Sequence, residues 1–305
     1  MKLAFLYSAY TDPQQLKRLI DSLPEGSHHF IHVDAKSDIG PFRALLASPS
    51  VHFLEQRHAV VWGSFRQLEY QMSLFRAAIL SGTDFDYLVT MSGMEYPVWS
   101  NSRIEQFFEE KKRRNEQPIQ ALLLTTQNHR QQRLYTRHWP FNNVYLRPGS
   151  LRSKLRVALR QGGYILGRRK KLEFDADGHH YRLHKGSDWF ALSAEAARFV
   201  LDRWDNSPEL QNYFRDSFTP SETAIHTILF CDERFRPSCM YVEGDYTRLA
   251  DLTPLCYIDY RPLVRVLDES YYDILLQTDK MFCRKIRSGK SDRLVSLLES
   301  HRREG

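Results

Sequence analysis

Apolar and polar positions alternate along the first third of the chain between two periods. Residues 2–9 are almost continuously apolar, as a strand buried on both faces requires, and Pro13 to Leu23 carries Leu16, Leu19, Ile20 and Leu23 at helical spacing. His29–Val33 predicts a second strand that ends at Asp34, and Val51–Leu54 a short third. A long amphipathic helix is predicted over Phe65–Leu80, after the turn Trp62-Gly63-Ser64. Tyr87–Met91 predicts a fourth strand, which delivers the loop Ser92-Gly93-Met94-Glu95-Tyr96-Pro97. Strands alternating with helices predict an α/β chain with a mostly parallel, twisted sheet and flanking helices. Such sheets bind ligands at the carboxyl ends of their strands: here Ser8–Thr11, Asp34–Lys36 and Ser92–Glu95.

Beyond residue 100 the pattern changes. From about residue 150 to 171, Arg152, Lys154, Arg156, Arg160, Arg168, Arg169, Lys170 and Lys171 interleave with Leu151, Leu155, Leu159 and Ile165. This predicts a basic amphipathic insertion, helical as far as Gly162-Gly163. A strand is expected over Asp188–Leu192 and a helix over Ala194–Trp204. The charged segment after Ser288 reads as a helical, peripheral tail. The expected organisation is one domain: residues 1–100 as a first, ligand-binding half, 101–288 as a second half that contains the insertion, and 289–305 as the tail.

With 305 residues, 42% hydrophobic and 26% charged, the chain has the composition of a globular protein rather than a disordered or membrane-embedded one. The excess of 43 Lys+Arg over 37 Asp+Glu, a net +6, favours an anionic partner without choosing among nucleotide, nucleic acid and membrane. Cys231, Cys239, Cys256 and Cys283 lack CxxC spacing and read as buried free thiols of a reducing compartment. The apolar run at the N-terminus is too short for a membrane span and has no small-residue cleavage site, so it reads as a strand.

Six segments in order resemble the core-2/I-branching β-1,6-N-acetylglucosaminyltransferase family, which includes the peptide O-xylosyltransferases. They are Phe30-Ile31-His32-Val33-Asp34-Ala35-Lys36-Ser37, Val61-Trp62-Gly63-Ser64, Tyr87 through Pro97, Lys185-Gly186-Ser187-Asp188-Trp189-Phe190-Ala191-Leu192, Thr219-Pro220-Ser221-Glu222 and Met281-Phe282-Cys283-Arg284-Lys285. The resemblance implies a GT-A-like fold and inverting transfer from a UDP-sugar, with N-acetylglucosamine in β-1,6 linkage favoured over xylose, and no divalent metal as cofactor. It puts the base on Glu222 and the diphosphate on Lys285, with Arg284, Arg261 or Arg265 as further cations. Asp34, Trp62, Ser92, Gly93 and Glu95 become donor-binding candidates, although Glu95 stands where the family more often has aspartate. Ser187 and Trp189 become acceptor-binding candidates. The expected partners are the UDP-sugar and a glycan or lipid-linked acceptor. The expected location is that of a bacterial cytoplasmic enzyme, peripheral at the inner membrane face through residues 151–171.

The residues themselves leave alternatives open. Glu222 opens the apolar pattern Ala224, Ile225, Ile228, Leu229, so it belongs in a helical first turn, either as base or as partner of a cap on Thr219 or Ser221. Asp34 reads equally as a turn aspartate. Of two DxD triplets, Asp84-Phe85-Asp86 precedes its strand and so lies at the wrong end of the sheet, and Asp175-Ala176-Asp177 lacks the remaining ligands of a calcium loop, so neither is expected to hold a metal. His226 reads as a packed histidine. The mixture Tyr135, Arg137, His138, Trp139 and Phe141 is a candidate acceptor groove. A nucleic-acid-binding protein is the rival of another class, but no recognisable module supports it. A non-catalytic glycan binder is a third reading, against which the presence of both Glu222 and Lys285 argues.

Overall fold

A computed structural model describes residues 1–304 except 126–133, 141, 144, 145, 147, 148, 167, 168, 245–248 and 262. In chain order its elements are β1 (Leu3–Ala9), α1 (Pro13–Asp21), β2 (His28–Val33), α2 (Gly40–Leu45), β3 (Val51–Phe53), α3 (Phe65–Leu80), β4 (Tyr87–Ser92), β5 (Glu95–Pro97), α4 (Asn101–Arg113) and β6 (Gln117–Leu123). There follow α5 (Leu151–Leu166), β7 (Glu173–Ala176), β8 (His179–Arg182), β9 (His184–Gly186), β10 (Ala191–Ser193), α6 (Ala194–Asp205), α7 (Pro208–Arg215) and α8 (Ala224–Phe230). The last are β11 (Cys239–Val242), β12 (Cys256–Ile258), α9 (Tyr272–Leu276), β13 (Phe282–Arg284) and α10 (Asp292–Glu304).

The central sheet runs β10-β4-β1-β2-β3, with β10 alone antiparallel. Its inner strands β1, β2 and β4 are buried on both faces, while the edge strand β3 is half-buried. Leu3, Phe5, Tyr7 and Ala9 of β1 enter one core with Leu16 and Leu19 of α1 and Ile104 and Phe108 of α4. Ala4 and Leu6, pointing the other way, enter a second core with Leu68 and Phe75 of α3 and Val200 of α6. Asp12 caps α1 by accepting from Gln15 N at 3.1 Å, and Ser193 caps α6 by accepting from Ala196 N at 3.2 Å.

The strand order reverses beside β1: β2 and β3 lie to one side and β4 to the other. The switch point therefore opens between the carboxyl ends of β1 and β4, where Ser8 and Ser92 are register partners. Two further pairings complete the frame. β6 lies between β11 and β9, and β13 lies between β12 and β5, with Arg284 opposite Glu95.

Three expectations are corrected. The strand expected over Asp188–Leu192 begins only at Ala191, as β10, because residues 187–190 instead carry the chain from β9 in one sheet to β10 in another. The insertion helix does not stop at its glycine pair but continues to Leu166. The C-terminal segment is not peripheral: Leu294, Val295 and Leu298 of α10 are buried with Tyr96, Val98, Cys283 and Ile286, and Arg302 donates to the backbone oxygens of Trp99 (2.7 Å) and Ser22 (2.6 Å). The thiols are free, with Cys256 and Cys283 buried but Cys231 and Cys239 only half-buried.

Burial holds three histidine rings neutral. His29, beside His28 and His52, His32, beside His58, and His184 are each pushed down to about 4 by loss of hydration. In the unfolded chain these rings gain protons near pH 6.5, but in the fold only near 4. Stability should therefore rise with pH across that window and be lost as pH falls through it. Thermal unfolding in a buffer series from pH 7 to pH 4 checks this; a midpoint that holds steady or climbs on acidification would contradict it.

Candidate active site

The switch point carries a cavity of about 260 Å³. Ser8 and Tyr10 line it from the end of β1, Ser92 from β4, Gln67, Tyr70 and Gln71 from α3, and Trp62 from the loop before α3. Asp188 and Trp189 enter from the β9–β10 crossing, Glu222 from a short turn before α8, Tyr260 and Val264 from the loop after β12, and Arg284 and Lys285 from the end of β13 and the residue after it. Two clusters of charge organise these walls.

The first centres on Glu95, which has no exposed surface. Its carboxylate accepts from Ser92 N (2.9 Å), Ser92 Oγ (2.7 Å) and Trp189 Nε1 (3.0 Å), and Arg284 Nε lies 3.3 Å away. The guanidinium of Arg284 stacks on the Trp189 ring with its carbon 4.1 Å from the centroid. Arg284 is thus a fixed, nearly buried cation rather than part of a solvated face. Lys285 follows, half-buried, and its ammonium is pulled below the usual lysine range by lost hydration and by repulsion from Arg284 and Arg287.

The second cluster centres on Lys185, a lysine with its side chain 1% exposed, whose ammonium lies 2.7 Å from Glu222 Oε2 and also donates to Gly186 O. Asp188 is half-buried and accepts from Gln71 Nε2 at 3.0 Å; lost hydration, then the charge of Glu222, push its carboxyl up. Gly186 has a steric reason to be glycine, since a Cβ there would fall 2.2 Å from the His226 ring. His226 is fully buried against Phe190, as a packed ring, and its two nitrogens have no hydrogen-bond partner among the described residues.

Glu222 departs from its expected setting. It closes a short 3₁₀ turn, Pro220–Glu222, instead of opening the first turn of α8. Thr219 ahead of it is left-handed, φ 39° and ψ 58°, a strained conformation for a β-branched residue. Its N–H donates to Gly63 O at 3.0 Å, which ties the turn to the Trp62-Gly63 loop. Neither Thr219 nor Thr223 makes a side-chain cap there.

The structure brings Glu222, Trp62, Ser92, Trp189, Arg284 and Lys285 together around the cavity and leaves five other candidates off its walls. Asp34 accepts from Lys36 N at 2.9 Å and pairs with Lys36 Nζ at 2.6 Å, the geometry of a turn aspartate. Gly93 packs behind its loop toward Ala9 and Leu16. Glu95 acts on the cavity only through Ser92, Trp189 and Arg284. Ser187 is buried away from it. Arg261 is exposed and paired with Asp259 at 3.0 Å, beside the lining residue Tyr260.

Of the proposed acceptor groove, Tyr135 is buried, and Trp139 packs on Phe218, whose ring also meets Trp62; Phe141 lies outside the described residues. The DxD triplets are engaged elsewhere. Asp86, at the far end of β4, pairs with Lys112 and accepts from Lys2 N, while Asp175 pairs with His180 and Asp177 accepts from Glu209 N. Asp188 and Lys185 were given no role by sequence reasoning. Their signal was present, since an acid and a lysine inside an otherwise apolar strand run are seldom buried without a task.

Residues 3–248 match the family model described as Core-2/I-Branching enzyme. Among curated proteins the chain is similar to xylosyltransferase 2 of Mus musculus, 21% identical over 319 residues that cover 94% of this chain and 32% of that protein. It is also similar to xylosyltransferase 1 of Rattus norvegicus, 24% identical over 224 residues covering 71% and 24% respectively. The chain spans about a quarter to a third of the length of these relatives. It belongs to the Core-2/I-branching enzyme family, which makes it a member of a family of glycosyltransferases.

Lys185 pairs with Glu222 from a buried position, so its removal leaves that carboxylate without its cation. Lys185→Met should cost roughly 3–5 kcal/mol of stability, the usual result of breaking a buried pair from one side, and adding Glu222→Gln should recover part of it. Urea unfolding of the single and double variants measures both effects. A single variant within about 1 kcal/mol of wild type would mean that the carboxylate is carried by other groups.

Proposed function

We propose that the chain is an inverting glycosyltransferase of GT-A-like fold, moving a sugar, N-acetylglucosamine in the first reading, from a UDP-sugar to a hydroxyl of a glycan acceptor without a divalent metal. One arrangement carries this reading: a cavity at the switch point lined by a carboxylate, Glu222, and by two cations, Arg284 and Lys285. The acceptor oxygen attacks the anomeric carbon as the bond from that carbon to the diphosphate oxygen breaks. Glu222 takes the hydroxyl proton, and UDP leaves with the bonding pair. A diphosphate beside Lys285 offsets the repulsion from Arg284 and Arg287 that lowers this ammonium's pKa. Arg284 meets the developing charge already oriented by Glu95 and Trp189, so little reorganisation remains for the moment of reaction.

The names of the relatives favour a second donor, UDP-xylose. Xylose lacks the hydroxymethyl group of N-acetylglucosamine and also its N-acetyl substituent, so the two donors differ in the space they need beside the anomeric carbon. UDP release over a panel of UDP-sugars distinguishes them directly.

Glu222→Gln, nearly isosteric, should lower turnover by roughly two to four orders of magnitude while leaving UDP-sugar affinity within a few-fold by calorimetry. Turnover close to wild type would place the base on another group, Asp188 first.

Transfer should persist in excess EDTA, and Lys285→Ala should lower kcat by roughly two to three orders of magnitude, as loss of one fixed charge-stabilising donor does. UDP-release assays with and without chelator test both. Activity abolished by EDTA and restored by manganese would refute the metal-free assignment.

A further inference from the structure

Helix α5 carries a surface that nothing in the transfer chemistry uses. Leu151, Leu155 and Leu159, spaced four apart and so on one stripe, are 83%, 60% and 50% exposed, and Ala158 beside them is exposed as well. Apolar side chains of this size are seldom so exposed in a row on a soluble face. At about 100° per residue, Arg152 and Lys154 fall on the two flanks of the stripe, and both are exposed. The helix sequence contains Arg152, Lys154, Arg156 and Arg160 and no acidic residue.

The two ends of the insertion are tied together and to the body. Lys170 N donates to Thr136 O at 2.7 Å, and Arg137 and Arg169 form an antiparallel bridge. Lys170 itself is buried, its ammonium donating to Tyr213 O and Ser217 Oγ and lying 4.1 Å from the Tyr213 ring centroid. Burial pulls that ammonium down to about 7. Lys170 therefore fastens the insertion and is not part of its basic surface, in contrast to the expectation that grouped it with Arg169 and Lys171; Arg168 lies outside the described residues. On the side before the helix, Asn142 Nδ2 donates to Gly63 O at 2.6 Å, next to Trp62, which is 70% exposed at the rim of the cavity.

We infer that α5 docks on an anionic lipid surface, with Leu151, Leu155 and Leu159 in the headgroup–acyl boundary and Arg152 and Lys154 among the anionic headgroups. An exposed leucine stripe with a cation on either flank is the pattern of a helix lying in a membrane interface, where apolar burial and charge attraction act together. No helix among the described residues is long and apolar enough to cross a membrane, and surface docking requires none. Asn142, nine residues ahead of the helix, holds the chain to Gly63 beside the cavity-lining Trp62. A lipid-linked acceptor would then meet the cavity at the surface on which the helix lies. The docking itself does not depend on the identity of the transferred sugar or of the base.

The test is co-sedimentation of the whole chain with vesicles of equimolar phosphatidylcholine and phosphatidylglycerol, set against pure phosphatidylcholine. Wild type should pellet with the anionic vesicles only, and less as salt rises. Arg152→Ser/Lys154→Ser should weaken partitioning by roughly thirty-fold, about fivefold for each cation, and Leu151→Ser/Leu155→Ser/Leu159→Ser should abolish it. All five positions are exposed, so unchanged circular dichroism and thermal midpoint certify the fold of both variants. Equal pelleting by the leucine variant would overturn the inference. So would absence of pelleting at low salt together with leucine-dependent self-association in sedimentation velocity, which would make the stripe a contact between copies of the chain.

Discussion

A carboxylate with no exposed surface is expensive unless donors surround it, and Glu95 is the point on which this site hangs. It gathers Ser92 from the end of β4, Trp189 from the β9–β10 crossing and Arg284 from β13, three segments remote from one another in sequence. The antiparallel register of β13 on β5 sets Arg284 opposite Glu95, and stacking on Trp189 then leaves the guanidinium little freedom. Lys285 inherits its place at the cavity from this pairing. An aspartate at position 95 is one methylene shorter and could not reach the same set of donors without a shift of β5 or β13.

The other cluster is built on the inverse arrangement, one buried cation holding a carboxylate. Lys185 fixes one oxygen of Glu222, and the left-handed Thr219 turns the chain into the 3₁₀ segment that carries it. Asp188 stands near this pair, its carboxyl pushed up by lost hydration first and by the charge of Glu222 second. The cavity is thus lined from two charge clusters of opposite composition. In the proposed reaction one would take up a proton and the other would face the departing diphosphate.

The frame was legible in the sequence because it rests on local periodicity. Strands buried on both faces read as continuous apolar runs, and α3 and α6 show their helical spacing plainly. The site was legible in part. Glu222, Arg284 and Lys285 stand out through the family resemblance, but what holds them does not. The pairs Lys185–Glu222 and Glu95–Arg284 join residues far apart in the chain, and no local pattern announces them. Pro220 before an apolar helical run looks like an ordinary helix start, and only the left-handed backbone of Thr219 shows otherwise. The C-terminal segment looked peripheral because its charged face dominates the composition, while three buried positions, Leu294, Val295 and Leu298, decide where it lies. Asp34 and Gly93 sit at strand ends where ligands often bind, but local hydrogen bonding and packing claim them first.

The insertion of β13 between β12 and β5 bears on how the molecule comes into being. Cys283 Sγ donates to Tyr96 O across 187 positions of chain, and β5 has its partner only once that late segment arrives. Contacts of such span close slowly, because the loop entropy must be lost before the pairing repays it. During synthesis the parallel core of β1, β2 and β4 can therefore collapse early, with β5 left as an open edge and its neighbouring apolar residues Tyr96 and Val98 uncovered. The part of the cavity lined by Arg284 and Lys285 is therefore among the last to assemble. Until β13 arrives, the molecule carries both an unfinished cavity and a sticky strand edge, which ties quality control of this fold to the pairing of residues 282–284 with β5.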